Sequence, residues 1–70
     1  MTREETRQLK QGNLVEVERG VFAASSDRVG WDLCRVNYVN VIGQVHVTRL
    51  HSGGVGPYVD PGRVRKPQKS

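Results

Sequence analysis

Seventy residues make one domain, close to the lower limit at which a hydrophobic core holds without disulfides or a structural metal. Cys34 is the only cysteine, which excludes an intramolecular disulfide and a cysteine-based metal site, and no run approaches the roughly 18 to 20 apolar residues that cross a bilayer; the expectation is a cytoplasmic chain with no membrane partner. The formal net charge of +4 is unevenly placed, with four basic and four acidic residues over 1–20 but seven basic against three acidic over 21–70, so the later part leans toward polyanions or acidic protein surfaces.

Thr2-Arg3-Glu4-Glu5 has the spacing of a capping box and predicts a short helix running to Lys10 or Gln11, where Gly12 stops it. Leu9 is its one sizeable apolar residue after Met1 and the expected anchor onto the rest of the chain. Val15 and Val17 alternate with Glu16 and Glu18, which predicts a strand over 13–19 with the valines inward. Ala23-Ala24-Ser25-Ser26-Asp27 reads as a long loop, with Val21 and Phe22 tucked beneath it.

The next strand begins at Gly30-Trp31 and runs to about Tyr38, with Trp31, Leu33 and Arg35 alternating against Asp32, Cys34 and Val36. A turn near Asn40 to Gly43 leads to a third strand over 44–50, in which Val45 and Val47 alternate with Gln44, His46 and Thr48. Ser52-Gly53-Gly54-Val55-Gly56 is a flexible turn, followed by a short strand at Pro57-Tyr58-Val59. Asp60-Pro61-Gly62-Arg63 forms a tight, 3₁₀-like turn into a last strand at Val64. Lys66 to Ser70 has nothing apolar to bury and predicts a basic disordered tail. The expected organisation is therefore a helix over 1–11, a mainly β unit over 12–65 and a tail over 66–70.

The order of these elements, carried by Gly12-Asn13-Leu14-Val15-Glu16-Val17, Gly30-Trp31, Cys34-Arg35-Val36 and Val59-Asp60-Pro61-Gly62-Arg63-Val64, resembles the SH3-like barrel. It is similar to the Tudor and KOW groups at fold level. The resemblance implies a single mainly β barrel of about five strands with a short N-terminal helix. Its uses are diverse, among them nucleic-acid binding, methylated-lysine reading, peptide binding and protein docking.

Catalysis is not expected. A nucleophile needs a base within hydrogen-bond reach and a group that orients the base, and the spacing of Cys34, His46 and His51 shows no such arrangement. Cys34 reads as a small core residue and the two histidines, five positions apart, as surface imidazoles on opposite strand faces. No cofactor or metal is expected.

Binding is where the candidates lie. Trp31, Tyr38 and Tyr58 are the aromatic residues best placed for a recognition face, where a ring can stack a base or hold a cation. Arg35, Arg49, Arg63, Arg65 and Lys66, joined by Arg28, would form a basic stripe if Arg35 and Arg49 are neighbours across a hairpin and the last strand lies beside them. The competing expectation is a solvated surface in which these cations pair with Asp27, Asp32 or Asp60. The uncharged run Val36 to Ile42 is a further contact surface if it protrudes as a hairpin, for a second copy or another protein. Two functions follow: a non-catalytic module that docks on a partner protein and modulates it, as small regulatory or phage-type proteins do, or a DNA- or RNA-binding domain using the stripe and the aromatics.

Overall fold

Valine at every second position decides this fold, because a strand that buries alternate β-branched side chains must lay one whole face on the core. The computed structural model describes residues 1–22 and 30–67. Helix α1 (Arg3–Arg7) precedes strands β1 (Leu14–Glu18), β2 (Trp31–Val39), β3 (Val45–Arg49), β4 (Val55–Val59) and β5 (Val64–Arg65), with 3₁₀ turns at Arg19–Val21 and Pro61–Arg63. The strands form one antiparallel sheet in the order β4-β3-β2-β1-β5, curled into a half-barrel.

The concave face is the core. Val15, Val17, Cys34, Val36, Val45, Val47, Val59 and Val64 are all buried there, and Met1, Leu9, Val21, Phe22 and Val39 pack against them, so Leu9 is the anchor expected of it. The fully buried core holds no aromatic side chain; it is a layer of seven valines with Cys34, each valine worth about 1.5 to 3 kcal/mol on burial.

The capping box forms, with the Thr2 hydroxyl accepting from the Glu5 N–H at 3.2 Å and the Glu5 carboxylate accepting from the Thr2 N–H at 2.9 Å. Those bonds, led by the Thr2 N–H, hold the Glu5 carboxyl below its ordinary value. The helix ends at Arg7, earlier than the expected Lys10 or Gln11. The Asn13 carboxamide takes the Lys10 N–H at 2.8 Å, offering it a partner outside the helical ladder. Thr6 is the one buried polar residue among those described, and its hydroxyl reaches the Arg3 carbonyl at 2.9 Å and the Gly43 carbonyl at 2.8 Å. That contact ties the helix to the β2–β3 turn.

This turn falls at Asn40 to Gly43 as expected, closed by the Asn40 N–H on Gln44 at 2.9 Å and the Gly43 N–H on Asn40 at 3.1 Å. Gly43 has φ of +85°, and a β-carbon there would collide with the Arg3 side chain. The fourth strand starts at Val55 and not at Pro57, because the Gly54 carbonyl already accepts from the Arg49 N–H at 2.9 Å. Gly56 lets Phe22 lie against the sheet, where a methyl group would meet its ring. The expected loop at 23–29, with Asp27 and Arg28, and the last three residues of the tail lie outside the described residues. Among the described residues no helix is long and apolar enough to cross a membrane.

Candidate functional site

The inner face is filled, so what the chain can present lies on the convex face and at the rims. Register decides which side chains reach it. Arg35 stands opposite Leu14 on β1 and Thr48 on β3, and Thr48 stands opposite Val55 on β4, giving one cross-strand row Leu14-Arg35-Thr48-Val55. Leu33 lies two positions before Arg35 on β2, and the Leu50 N–H donates to the Leu33 carbonyl at 3.2 Å. Leu14, Leu33, Leu50 and Val55 are between 40% and 66% exposed, so this row and its neighbour leave four large aliphatic side chains in water.

A register irregularity between Val36 and Tyr38 extends the face. Val36 pairs with Val47 and Tyr38 with His46, leaving Asn37 as the extra residue of a bulge. Asn37 uses its carboxamide on the same side, with Nδ2 2.8 Å from Thr48 Oγ1 and 3.1 Å from His46 Nδ1. Tyr38 stacks on His46 with centroids 4.8 Å apart, and Tyr58 meets Tyr38 edge-on at 5.9 Å. The two tyrosine hydroxyls share a hydrogen bond of 2.6 Å, which raises the Tyr38 pKa because ionisation would disturb the shared proton. Both rings are nearly half exposed. The three rings form one cluster, His46 and Tyr58 completing it with centroids 5.4 Å apart.

Trp31 occupies the far end of the same face. It is half-buried, opposite Glu18 on β1, and the Arg65 guanidinium lies over its ring with Cζ 4.1 Å from the centroid. Arg65 Nε also donates to Glu16 at 2.8 Å, and Arg63 donates to Glu18 at 2.8 Å.

The expected basic stripe does not form as one surface. Arg49 is opposite Cys34, an inward residue, whereas Arg35 is opposite Thr48, so the two arginines project from opposite faces of the sheet. The reason is a register in which Arg35 and Arg49 are offset by one residue. Arg49 turns to the rim of the core, where Nη2 donates to Asp32 at 3.0 Å and Cζ sits 4.7 Å from the Phe22 ring centroid; its Nε is buried with no partner. Asp32 also accepts from Arg19 at 3.2 Å. Arg49 and Trp31 do share the lining of one shallow depression of about 390 Å³, with Leu33 and His51. Asp32 is an expected partner, but Arg63 and Arg65 pair with Glu18 and Glu16, the outward side chains of β1, and not with Asp32 or Asp60.

Lys66 is exposed directly after β5, at a groove of about 320 Å³ that Met1, Leu9 and Leu14 also line. The Met1 ammonium donates to the Pro61 carbonyl at 3.0 Å and the Val64 carbonyl at 2.5 Å, fixing the start of the chain beside β5. Val41 and Ile42 are exposed in the β2–β3 turn, where Gly43 packs against the helix, so the uncharged run ends in two exposed aliphatic side chains. Cys34 is buried, and desolvation, assisted by the charge of Asp32, pushes its thiol up to about 11. A thiol so raised is a poor nucleophile. Among the described residues no group of three or more His, Cys, Asp or Glu side chains is placed to hold a metal ion.

His46 is the member of this face that sequence reading missed. Its alternation marked it as outward, but its place between two tyrosines depends on the registers of two hairpins. Comparison of the chain with protein-family models, curated proteins and solved structures finds no match.

Proposed function

We propose that this chain is a small, non-catalytic, cytoplasmic binding module, an SH3-like barrel in the broad sense, that docks on a partner protein through its convex face and modulates that partner. The observation that carries the reading is the row Leu14-Arg35-Thr48-Val55, with Leu33 and Leu50 beside it and Tyr38 and Tyr58 at its end, all left in water by a sheet whose other face is filled. Contiguous exposed apolar side chains on a small domain favour burial against another surface, and tyrosine and arginine are the residue types that contribute most when buried there.

A DNA- or RNA-binding domain is the second reading, favoured by the exposed tyrosine rings and the basic balance of the chain. It is the weaker one because three of the cations it needs are occupied: Arg49 by Asp32, Arg63 by Glu18 and Arg65 by Glu16. Phosphate would have to displace those carboxylates, and Glu16 and Glu18 stand on the strand face a nucleic acid would cross.

The deciding experiment is capture from a native lysate with and without nuclease, using the wild-type chain, a Leu33→Asp variant and an Arg63→Ser/Arg65→Ser/Lys66→Ser variant. The docking reading expects a nuclease-resistant protein that the Leu33→Asp variant loses. Capture that disappears with nuclease, or that fails only in the triple variant, supports the nucleic-acid reading instead.

A further inference from the structure

We infer that the segment docked on the convex face is an acidic, amphipathic stretch of the partner protein, with a carboxylate seated on Arg35 and apolar side chains on Leu33, Leu50 and Val55. This rests on the docking reading and adds the chemistry of the partner.

Arg35 is the centre of the argument. It is exposed in the middle of the cross-strand row, with Leu14 on one side and Thr48 on the other, and it has no carboxylate partner among the described residues. The nearest acidic residue by register is Glu16, one row away, and Arg65 holds it at 2.8 Å. The carboxylates of the face are held, Glu16 by Arg65 and Glu18 by Arg63, and Lys66 adds an exposed cation just after β5. What remains at the centre is the Arg35 cation, bordered by Leu14 and Leu33 and by the hydrogen-bonded polar pair Thr48 and Asn37. Covering that face with a purely apolar surface would strip water from a guanidinium with nothing to replace it, which is unfavourable. A carboxylate removes that cost, and Arg35 can meet it with two parallel N–H groups.

Charge also sorts the other occupants. A second copy pressed face to face brings another Arg35 of the same sign, on a chain of net charge +4. A nucleic acid would satisfy Arg35 but meet Glu16 and Glu18 on the same sheet. An amphipathic segment carrying a carboxylate among apolar residues meets neither difficulty, and its own apolar side chains cover Leu33, Leu50 and Val55.

The test is selection of random linear peptides displayed on phage against the full chain, followed by titration of the strongest binder as a synthetic peptide. Selected peptides are expected to combine Asp or Glu with apolar residues. Binding should fall by about tenfold or more in Arg35→Glu, an exposed change that leaves the melting curve in place, and should return when the peptide's carboxylate residue is changed to lysine. Peptides that are lost in Leu33→Asp yet are indifferent to Arg35→Glu, or that are enriched in basic residues, overturn the acidic-partner inference while leaving docking intact. Failure to select any peptide that depends on Leu33 or Tyr58 overturns both. Two further results overturn the inference by giving the face another occupant: oligothymidylate binding lost in Arg35→Glu, and self-association in sedimentation that Leu33→Asp abolishes.

Discussion

The Arg65 guanidinium covers the ring of Trp31 at 4.1 Å while its Nε holds Glu16 at 2.8 Å. One side chain of the two-residue strand β5 thereby joins β1 and β2 across the convex face. Trp31 is consequently neither a core residue nor an open platform. It is a half-buried ring with a cation for a lid, ordered from outside a core of valines and Cys34.

This relationship predicts a measurable coupling. Trp31→Leu and Arg65→Gln should each destabilise the chain modestly, and a double-mutant cycle by urea unfolding should return about 0.5 to 1 kcal/mol between them. Both variants are expected to stay folded. A coupling near zero would mean that the stacking is positional and contributes no free energy.

Asp32 predicts a larger effect. It is the common partner of Arg19 and Arg49, and the Asp32 side chain is only 15% exposed. Asp32→Ala should cost about 1 to 3 kcal/mol, because it strands Arg49 at the rim of the core. Adding Arg49→Leu should recover part of that loss. Strict additivity of the two changes in thermal melts would show that the pair is independent.

The Cys34 thiol predicts a pH dependence on the alkaline side. Its folded pKa of about 11 lies above the ordinary 9.0, so the unfolded chain gives up the proton first. The stability it contributes is complete below pH 9 and is lost as pH rises toward 11. Chemical denaturation across that range should show a decline that Cys34→Ala reduces. An identical slope in the variant would assign the decline to other groups.

Thr6 predicts that one buried hydroxyl contributes measurably to holding the helix on the β2–β3 turn. Thr6→Val keeps the shape but leaves the Gly43 carbonyl without that donor, at a cost of about 1 to 3 kcal/mol, while Thr6→Ser should be milder. Equal stability of the Val variant and the wild type in urea would remove the contact from the account.

The strands were legible because their signal is local. Val15 and Val17, Cys34 and Val36, and Val45 and Val47 announce a buried face at period two, and Thr2 and Glu5 announce the helix start. What was not legible depends on partners far along the chain. Arg35 and Arg49 looked like neighbours across a hairpin, but an offset of one residue between them sends them to opposite faces. His46 joins Tyr38 and Tyr58 only through two registers, both irregular, the first at the Asn37 bulge and the second between His46 and Thr48. The helix stops at Arg7, short of Gly12: Gln8 and Leu9 already donate three residues back, to Glu5 and Thr6, and the Lys10 N–H goes to the Asn13 side chain. Strand existence is written in single segments, whereas the composition of the candidate site is written in pairings.

Backbone hydrogen exchange on the chain alone and in the complex captured from nuclease-treated lysate tests the central claim most directly. Docking through the convex face predicts added protection over β2, β3 and β4, centred on Leu33, Arg35, Val55 and Tyr58, with residues 63–67 little changed. Protection confined to 63–67, in a complex that survives only without nuclease, would contradict it.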